Sequence, residues 1–235
     1  MWWKKNQWKI IIPVVIIAIL VGAFWYGGGA PNMHGWKAEQ RNETGEASLP
    51  LTENNENDLD RADMVTDPAS GKDKYLTDPV PSGKPVPVEP QDVVISDVEC
   101  CCTVSIRCDT ILDNMEWLDP EKTELVPADG WILEPTTVTF YEGESVFNVL
   151  QRVCKQNRIH LEFANTPIYN SAYIEGIHNL YEFDCGALSG WMYKVNDWFP
   201  NYGCSRYRLC SGDEICWVYT CDLGYDVGGG YATGG

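Results

Sequence analysis

Residues Asp184 to Asp222 read DCGALSGWMYKVNDWFPNYGCSRYRLCSGDEICWVYTCD, and the predicted fold rests on this stretch. It contains half of the ten cysteines and a high density of Trp, Tyr and Phe. Every second residue in its first part, Trp191, Tyr193 and Val195, is aromatic or β-branched. Such alternation is the period of a β-strand with two unlike faces. The sequence therefore predicts a strand here.

A second feature of the stretch is a turn-forming cluster, Ser211–Glu214, between two runs typical of strands. The runs, Arg206–Leu209 and Ile215–Thr220, predict a β-hairpin. A loop of three or five residues would set Cys210 and Cys216 opposite each other, at a spacing that a disulfide can bridge. A loop of four residues would put them out of register.

The segments GWMYKVNDWF, NYG and YRLCSGDEICWVYT resemble the C-terminal domain of the transcobalamin and intrinsic-factor family. The resemblance extends upstream through TVTFYEGESVFNVLQRVC and covers roughly Cys102 to Leu223. It implies a small β domain. It also implies a corrinoid ligand, which the eukaryotic members hold mainly on a preceding helical domain. In this sequence a polar, proline-rich segment stands in that place.

Upstream, the folded part begins near residue 100. Cys102 to Cys108 alternate with the period of a half-buried strand, and Trp131–Leu133 and Thr137–Tyr141 read as short strands. Apolar residues at three- and four-residue spacing predict a helix over Ser145–Gln156, with Ser145 as a capping hydroxyl. Shorter strands are predicted at Ile159–Phe163, Ala172–Glu175 and Leu180–Phe183.

One helix among at least seven short strands predicts the α+β class, a largely antiparallel β domain with a packed helix over residues 100–223. The chain after it, residues 224–235, is rich in glycine, which favours a flexible tail.

The N-terminus has the pattern of a membrane anchor. Residues 1–9 carry three lysines, and residues 10–26 are apolar and uncharged, about 26 Å long as a helix. This predicts a single-pass protein of the cell membrane with residues 1–9 cytoplasmic and the C-terminal domain extracytoplasmic. A cleaved signal peptide is the alternative, because Gly28 and Ala30 are small.

Residues 27–99 are rich in Asn, Glu, Asp and Pro and show no apolar period, so they predict a disordered linker. Nearly all of the net charge of −17 lies beyond the anchor. Such a surface repels phosphate, so we expect no nucleic-acid partner.

Ten cysteines in an exported domain indicate disulfides, each worth roughly 2 to 4 kcal/mol. We expect at least three, including Cys210–Cys216. The run Cys100-Cys101-Cys102 fits separate bridges better than a metal or redox site, because metal-binding spacings are absent and the histidines are scattered. We expect no metal and no cofactor other than a corrinoid as ligand.

Catalysis is not expected. Cys154 with His160, or Cys185 with His178, could pair as nucleophile and base, but no motif fixes such a geometry. Binding is the stronger hypothesis, because the aromatic residues exceed what one sheet face needs, and exposed rings on a loop mark contact surfaces. The predicted ligand-binding residues are Trp191, Tyr193, Trp198, Phe199, Tyr202 and Tyr207.

The sequence thus predicts a membrane-tethered module that captures a corrinoid or another small ligand at the cell surface, with a transporter or another surface protein as its partner. The alternative is a structural or adhesive envelope protein that binds a protein or a glycan. An enzyme is the weakest of the three hypotheses.

Overall fold

The computed structural model describes residues 64–233. The predicted cytoplasmic segment, the predicted anchor and residues 27–63 of the predicted linker lie outside the described residues. Within 64–233, no helix has the length and apolar character needed to cross a bilayer. The elements run in the order β1 Glu99–Arg107, β2 Trp131–Tyr141, α1 Val146–Asn157, β3 Leu161–Thr166, β4 Ser171–Ile177, β5 Leu180–Tyr181, β6 Gly190–Val195 and β7 Glu214–Thr220.

Four of these strands form one sheet in the order β2-β1-β7-β6. The pairs β1–β2 and β6–β7 are antiparallel, whereas β1 and β7 are parallel. Pro135 lies in β2, an edge strand, where a residue without a backbone N–H is tolerated. The predicted α+β class, a largely antiparallel β domain with one helix, is confirmed for the described residues.

The remaining strands form an antiparallel sheet in the order β3-β4-β5. A two-residue turn, His178-Asn179, joins β4 to β5, and both residues have positive φ, 57° and 59°. Such turns match the twist of the strands they connect. The hairpin therefore brings β5 back beside β4 within two residues.

Helix α1 begins where the sequence predicts. The Ser145 hydroxyl accepts a hydrogen bond from the backbone N–H of Asn148, and the Asn148 side chain accepts one from the backbone N–H of Ser145. This reciprocal cap satisfies two N–H groups that the helix leaves unpaired. The buried stripe of α1 consists of Val146, Val149, Leu150, Val153 and Cys154. Each fully buried aliphatic side chain of this kind stabilises the fold by roughly 1.5 to 3 kcal/mol.

The main core lies where this stripe meets the inward face of the four-stranded sheet. Val104 and Ile106 of β1 and Trp217 of β7 belong to the same buried cluster as the helix residues. A second, smaller cluster contains Cys108, Ile111, Leu118, Leu180, Cys185, Tyr219 and Cys221.

The predicted hairpin of Arg206–Leu209 with Ile215–Thr220 is wrong. Strand β7 lies between β1 and β6, so both of its edges are already paired. Cys216 pairs in register with Ser105 on one side and Lys194 on the other. Cys210 therefore does not face Cys216 across a ladder.

Part of the predicted linker and of the predicted tail contacts the domain. The N–H of Val88 donates to the carbonyl of Arg206, at 2.9 Å, and the Tyr202 hydroxyl donates to the carbonyl of Pro85, at 2.7 Å. At the other end, the backbone N–H of Phe199 donates to the Tyr231 hydroxyl, at 3.0 Å. Residues on both sides of the predicted domain thus cover its aromatic loop.

Candidate functional site

The candidate site lies beside β6, where the sequence predicts two ligand-binding rings. The Trp191 indole N–H donates to the carbonyl of Leu180, at 2.8 Å, which fixes the ring over β5. Tyr193 is buried, and its hydroxyl donates to the carbonyl of Tyr202, at 2.8 Å. Burial holds the pKa of the Tyr193 phenol well above its usual range, so the hydroxyl stays a neutral hydrogen-bond donor.

The chain reverses directly after β6. Asn196 and Asp197 both have positive φ, 49° and 60°, and Val195 and Trp198 exchange backbone hydrogen bonds across them. This is the geometry of a type I′ turn, for which Asn and Asp are favoured residues. The turn sends Trp198 back toward the core instead of into solvent.

The predicted loop rings are consequently inside the molecule. The exposed fractions of Trp198, Phe199, Tyr202 and Tyr207 are 7%, 3%, 7% and 2%. Tyr202 and Tyr207 stack at a ring-centroid distance of 6.1 Å, and Phe199 meets Tyr231 edge to face. The expected exposed aromatic loop is therefore not found, because the turn and the flanking segments bury it.

Three of the six predicted rings do line one cavity. The cavity has a volume of about 490 Å³, and Trp191, Tyr193 and Tyr202 belong to its walls. The cavity is also lined by residues 75–77, Arg206 and Trp217. Two of the other three rings, Trp198 and Tyr207, pack against the Tyr202 ring of this wall, each at a ring-centroid distance of 6.1 Å. The volume falls within the range of pockets for small molecules.

Arg206 is the charged group of this cavity, and it is 1% exposed. Its guanidinium donates to Asp73 Oδ2 at 2.6 Å, to Glu89 Oε1 at 2.9 Å and to the Thr77 hydroxyl at 2.7 Å. The Tyr75 ring covers it at 5.2 Å from the centroid. The Arg206 side chain thus joins the chain before β1 to the domain.

The same pairing sets the charge of Asp73. Burial by itself would raise the pKa of this carboxyl, but hydrogen bonds from Arg206 and from the backbone N–H groups of Thr77 and Tyr75 hold it below its usual value. Asp73 is therefore a carboxylate at neutral pH, and its negative charge offsets the positive charge of the Arg206 guanidinium.

Among the residues that line the cavity, three side-chain atoms are buried and have no hydrogen-bond partner among the described residues. They are Arg206 Nε, Trp217 Nε1 and Asn201 Oδ1, two donors and one acceptor. Only two other buried side-chain atoms in residues 64–233, Arg107 Nε and His160 Nδ1, share this condition. Since an unmade buried hydrogen bond costs about 1 to 3 kcal/mol, their concentration on one cavity points to a site for a polar group.

The sequence offered little to identify these three residues. The pattern of Ile215–Thr220 predicts a strand in which Trp217 is buried. Arg206 begins the predicted strand Arg206–Leu209, which does not form. Its partners Asp73 and Glu89 lie more than a hundred residues earlier, in a segment whose composition predicts a linker. The one local signal was a lone arginine between Cys204 and Tyr207, residue types that are usually buried.

The cysteines lie apart from this cavity, except for Cys204 in its wall. No disulfide bond is present among the described residues, so the expected Cys210–Cys216 bridge is not found. Cys101 is exposed and Cys102 buried, as the strand alternation predicts. Within residues 64–233, no group of three or more His, Cys, Asp or Glu side chains lies close enough to hold a metal ion.

The fold and the cavity define a small α+β domain with an aromatic, partly charged pocket beside its four-stranded sheet. Residues 143–221 match a family model described as domain of unknown function DUF4430. This range contains α1, β3–β7 and the cavity residues of those elements. No curated protein matches the chain.

Two solved structures are similar to parts of the chain. Haptocorrin in complex with Cbi has a TM-score of 0.41 and 15% identity, over 55% of this chain and 26% of that chain. A protein of Ruminococcus gnavus ATCC 29149, to which metal binding is provisionally attributed, has a TM-score of 0.32 and 12% identity, over 52% of this chain and 96% of that chain. The similarity thus spans about a quarter of the haptocorrin chain.

Proposed function

We propose that this domain is a binding module for a small molecule, and that the ligand enters the cavity walled by Trp191, Tyr193 and Tyr202. The observation that carries the proposal is that three residues lining that one cavity have an unpartnered buried atom: Arg206 Nε, Trp217 Nε1 and Asn201 Oδ1. A ligand that pairs with them removes a cost that the unliganded domain bears.

The chemistry of the walls defines the ligand class. Two donors and one acceptor match a group that both accepts and donates hydrogen bonds, such as a primary amide or a pair of hydroxyls. The aromatic rings favour a flat, apolar face next to that group. Both an amide-bearing corrinoid and a sugar ring meet these requirements, and the corrinoid is also the ligand that the family resemblance implies.

The role is binding without catalysis. Burial raises the pKa of the Tyr193 and Tyr202 phenols above their usual value, and the Asp73 carboxylate is paired with Arg206. None of these groups is poised to exchange a proton near neutral pH. The proposal includes the extracytoplasmic position and the N-terminal tether that the sequence predicts, with a transporter or surface protein receiving the ligand.

A structural or adhesive role is the second candidate, and one observation favours it. The tip of the β3–β4 hairpin exposes Ile168 and Tyr169 by 61% and 52%, and Tyr173 of β4 is 46% exposed. Exposed apolar side chains grouped on one hairpin are typical of a contact with another macromolecule.

Calorimetric titration of the full chain tests the proposal, with cobinamide, an oligosaccharide series and, as a ligand lacking a donor, benzoate. We expect Trp191→Ala to weaken binding of the recognised ligand at least tenfold, since truncation of an aromatic anchor commonly costs about 2 kcal/mol. Trp117→Ala is the matched control, because Trp117 is exposed and outside the cavity. Equal affinity of both variants would refute the site. Tyr169 and Tyr173 also line the cavity, whereas Ile168 does not, so binding to partner cells lost only in Ile168→Ala would favour adhesion.

A further inference from the structure

The second core cluster contains three cysteines, Cys108, Cys185 and Cys221, all at most 4% exposed. Two of them lie on neighbouring segments: the Leu223 N–H donates to the carbonyl of Leu188, at 2.9 Å, which holds the chain around Cys221 beside the chain around Cys185. Burial raises the pKa of both thiols, and each thiol also acts on the pKa of the other. Burial likewise raises the pKa of Cys108, and the charges that add to this effect are those of Asp109 and Asp129 rather than those of the other two thiols. The cluster therefore holds one adjacent pair of thiols and one separate thiol.

The elements that carry the pair hold it in place. Cys221 directly follows β7, which lies between β1 and β6 in the sheet. Cys185 forms an isolated bridge with Leu118, its N–H donates to the Ser189 hydroxyl at 3.1 Å, and its thiol donates to the carbonyl of Asn114 at 3.4 Å. Both backbones are thus fixed, and they place the two thiols in one buried cluster.

We propose that Cys185 and Cys221 form a disulfide when the domain meets a disulfide oxidant, for example oxidised glutathione or an oxidised dithiol protein. One thiolate attacks the oxidant, which releases one reduced thiol and leaves a mixed disulfide. The second cysteine then attacks that mixed disulfide, so that two protein thiols become one S–S bond and two oxidant thiols are released with the two protons.

This bond joins the end of β7 to the turn after β5, and it closes the loop that contains β6, β7 and half of the residues that line the cavity. Crosslinking a loop of this kind stabilises a fold mainly by restricting the unfolded chain. The same burial raises the pKa of both thiols, so the folded dithiol is a slow nucleophile. We therefore expect the bond to form while the domain folds.

The experiment is disulfide mapping of the full chain after refolding in a glutathione redox buffer. Thiols are alkylated in denaturant without reduction, and chymotrypsin, which cuts after Trp217 and Tyr219, separates Cys221 from Cys216. We expect a linked Cys185–Cys221 peptide, and Cys108 alkylated. Recovery of both Cys185 and Cys221 as alkylated thiols, or linked to other cysteines, would overturn the proposal.

Variants separate this pair from the rest of the cluster. Cys108→Ala should retain the link, whereas Cys185→Ala should leave Cys221 alkylated. A reductant should lower the melting temperature of the wild type by roughly 5 to 10 °C and leave the double variant Cys185→Ala/Cys221→Ala unchanged. If the double variant does not fold, mapping of the wild type still decides, and an equal reductant effect in a folded double variant would contradict the proposal.

Discussion

Arg206 is the residue on which the site depends. Its guanidinium is almost fully buried and pairs with the carboxylates of Asp73 and Glu89, its Nε has no hydrogen-bond partner, and the residue lines the cavity. A buried charge of this kind is tolerated only while its partners remain, so the side chain ties the cavity to the segment that precedes β1.

Replacing Arg206 by Met should lower the free energy of unfolding by about 3 kcal/mol, because two carboxylates lose their partner. Urea unfolding measures this change in the free energy of unfolding. Arg208→Met is the control: Arg208 lies 3.9 Å from Glu142 and half-exposed, so its loss should cost less than about 1 kcal/mol. Similar costs for the two variants would show that the buried pairing contributes little.

The depressed pKa of Asp73 predicts a pH dependence. A carboxyl whose pKa is lower in the folded state stabilises the fold above its unfolded pKa, about 3.9, and that stability is lost as the pH falls through the folded pKa. Urea midpoints between pH 6 and pH 2 should fall steeply below about pH 4 in the wild type. Asp73→Asn should be less stable at pH 6 and show a shallower decline, and parallel curves would contradict the assignment.

At the scale of elements, the turn after β6 determines where the aromatic rings go. Asn196-Asp197 reverses the chain within two residues and returns Trp198 to the core. The positive φ of Asp197 is a conformation that a β-branched residue adopts poorly.

Asp197→Val should therefore lower the urea midpoint of unfolding by roughly 0.5 to 1 M. Asp197→Gly removes the same contact to Lys194 but accepts a positive φ, so its midpoint should stay close to that of the wild type. If Val and Gly behave alike at this position, the turn does not carry the strain that its backbone angles indicate.

Patterns within one element were predictable, and pairings between distant elements were not. The stripe of α1, its Ser145 cap and the alternation of β1 and β6 are local, and the structure confirms them. The parallel pairing of β1 with β7 joins residues more than a hundred positions apart. Nothing near Arg206–Leu209 indicated that β7 would already have two neighbours, so a local hairpin was predicted instead.

The residues of the site were likewise predictable only in part. Trp191, Tyr193 and Tyr202 were predicted from aromatic surplus, and they do line the cavity. The burial of Trp198 and Phe199 depends on Lys84, which lies over the Trp198 ring, and on Tyr231, which contacts Phe199. Those contacts come from segments whose composition predicts a linker and a tail, so sequence patterns near the rings could not reveal them.

At the scale of the whole molecule, the chain before β1 is part of the domain's stability. Asp73, Thr77 and Glu89 satisfy Arg206, and the carbonyl of Pro85 accepts from Tyr202. A domain cut at the predicted boundary would leave the buried guanidinium without these partners.

A chain that begins at Cys100 should therefore melt at a lower temperature than one that begins at residue 64, by roughly 5 to 10 °C. Arg206→Met should destabilise the longer chain. In the shorter chain, where residues 73–89 neither pair with the guanidinium nor cover it, the same substitution should change the melting temperature little. The four proteins are the two chain lengths, each with and without Arg206→Met, and their melting curves form a thermodynamic cycle. The same effect of Arg206→Met in both chains would show that residues 64–99 do not neutralise Arg206.

Nuclear magnetic resonance of the tryptophan indole N–H groups reports whether a ligand reaches the unpartnered atoms of the residues that line the cavity. In the full chain labelled with ¹⁵N, with the Trp217 signal assigned through Trp217→Phe, we titrate cobinamide and the oligosaccharides. The proposal predicts that the Trp217 indole signal moves in a saturable way, together with that of Trp191, while those of Trp117 and Trp131 stay in place. Saturable shifts confined to Trp117 or Trp131, or a Trp217 signal that no ligand moves at millimolar concentration, would contradict it.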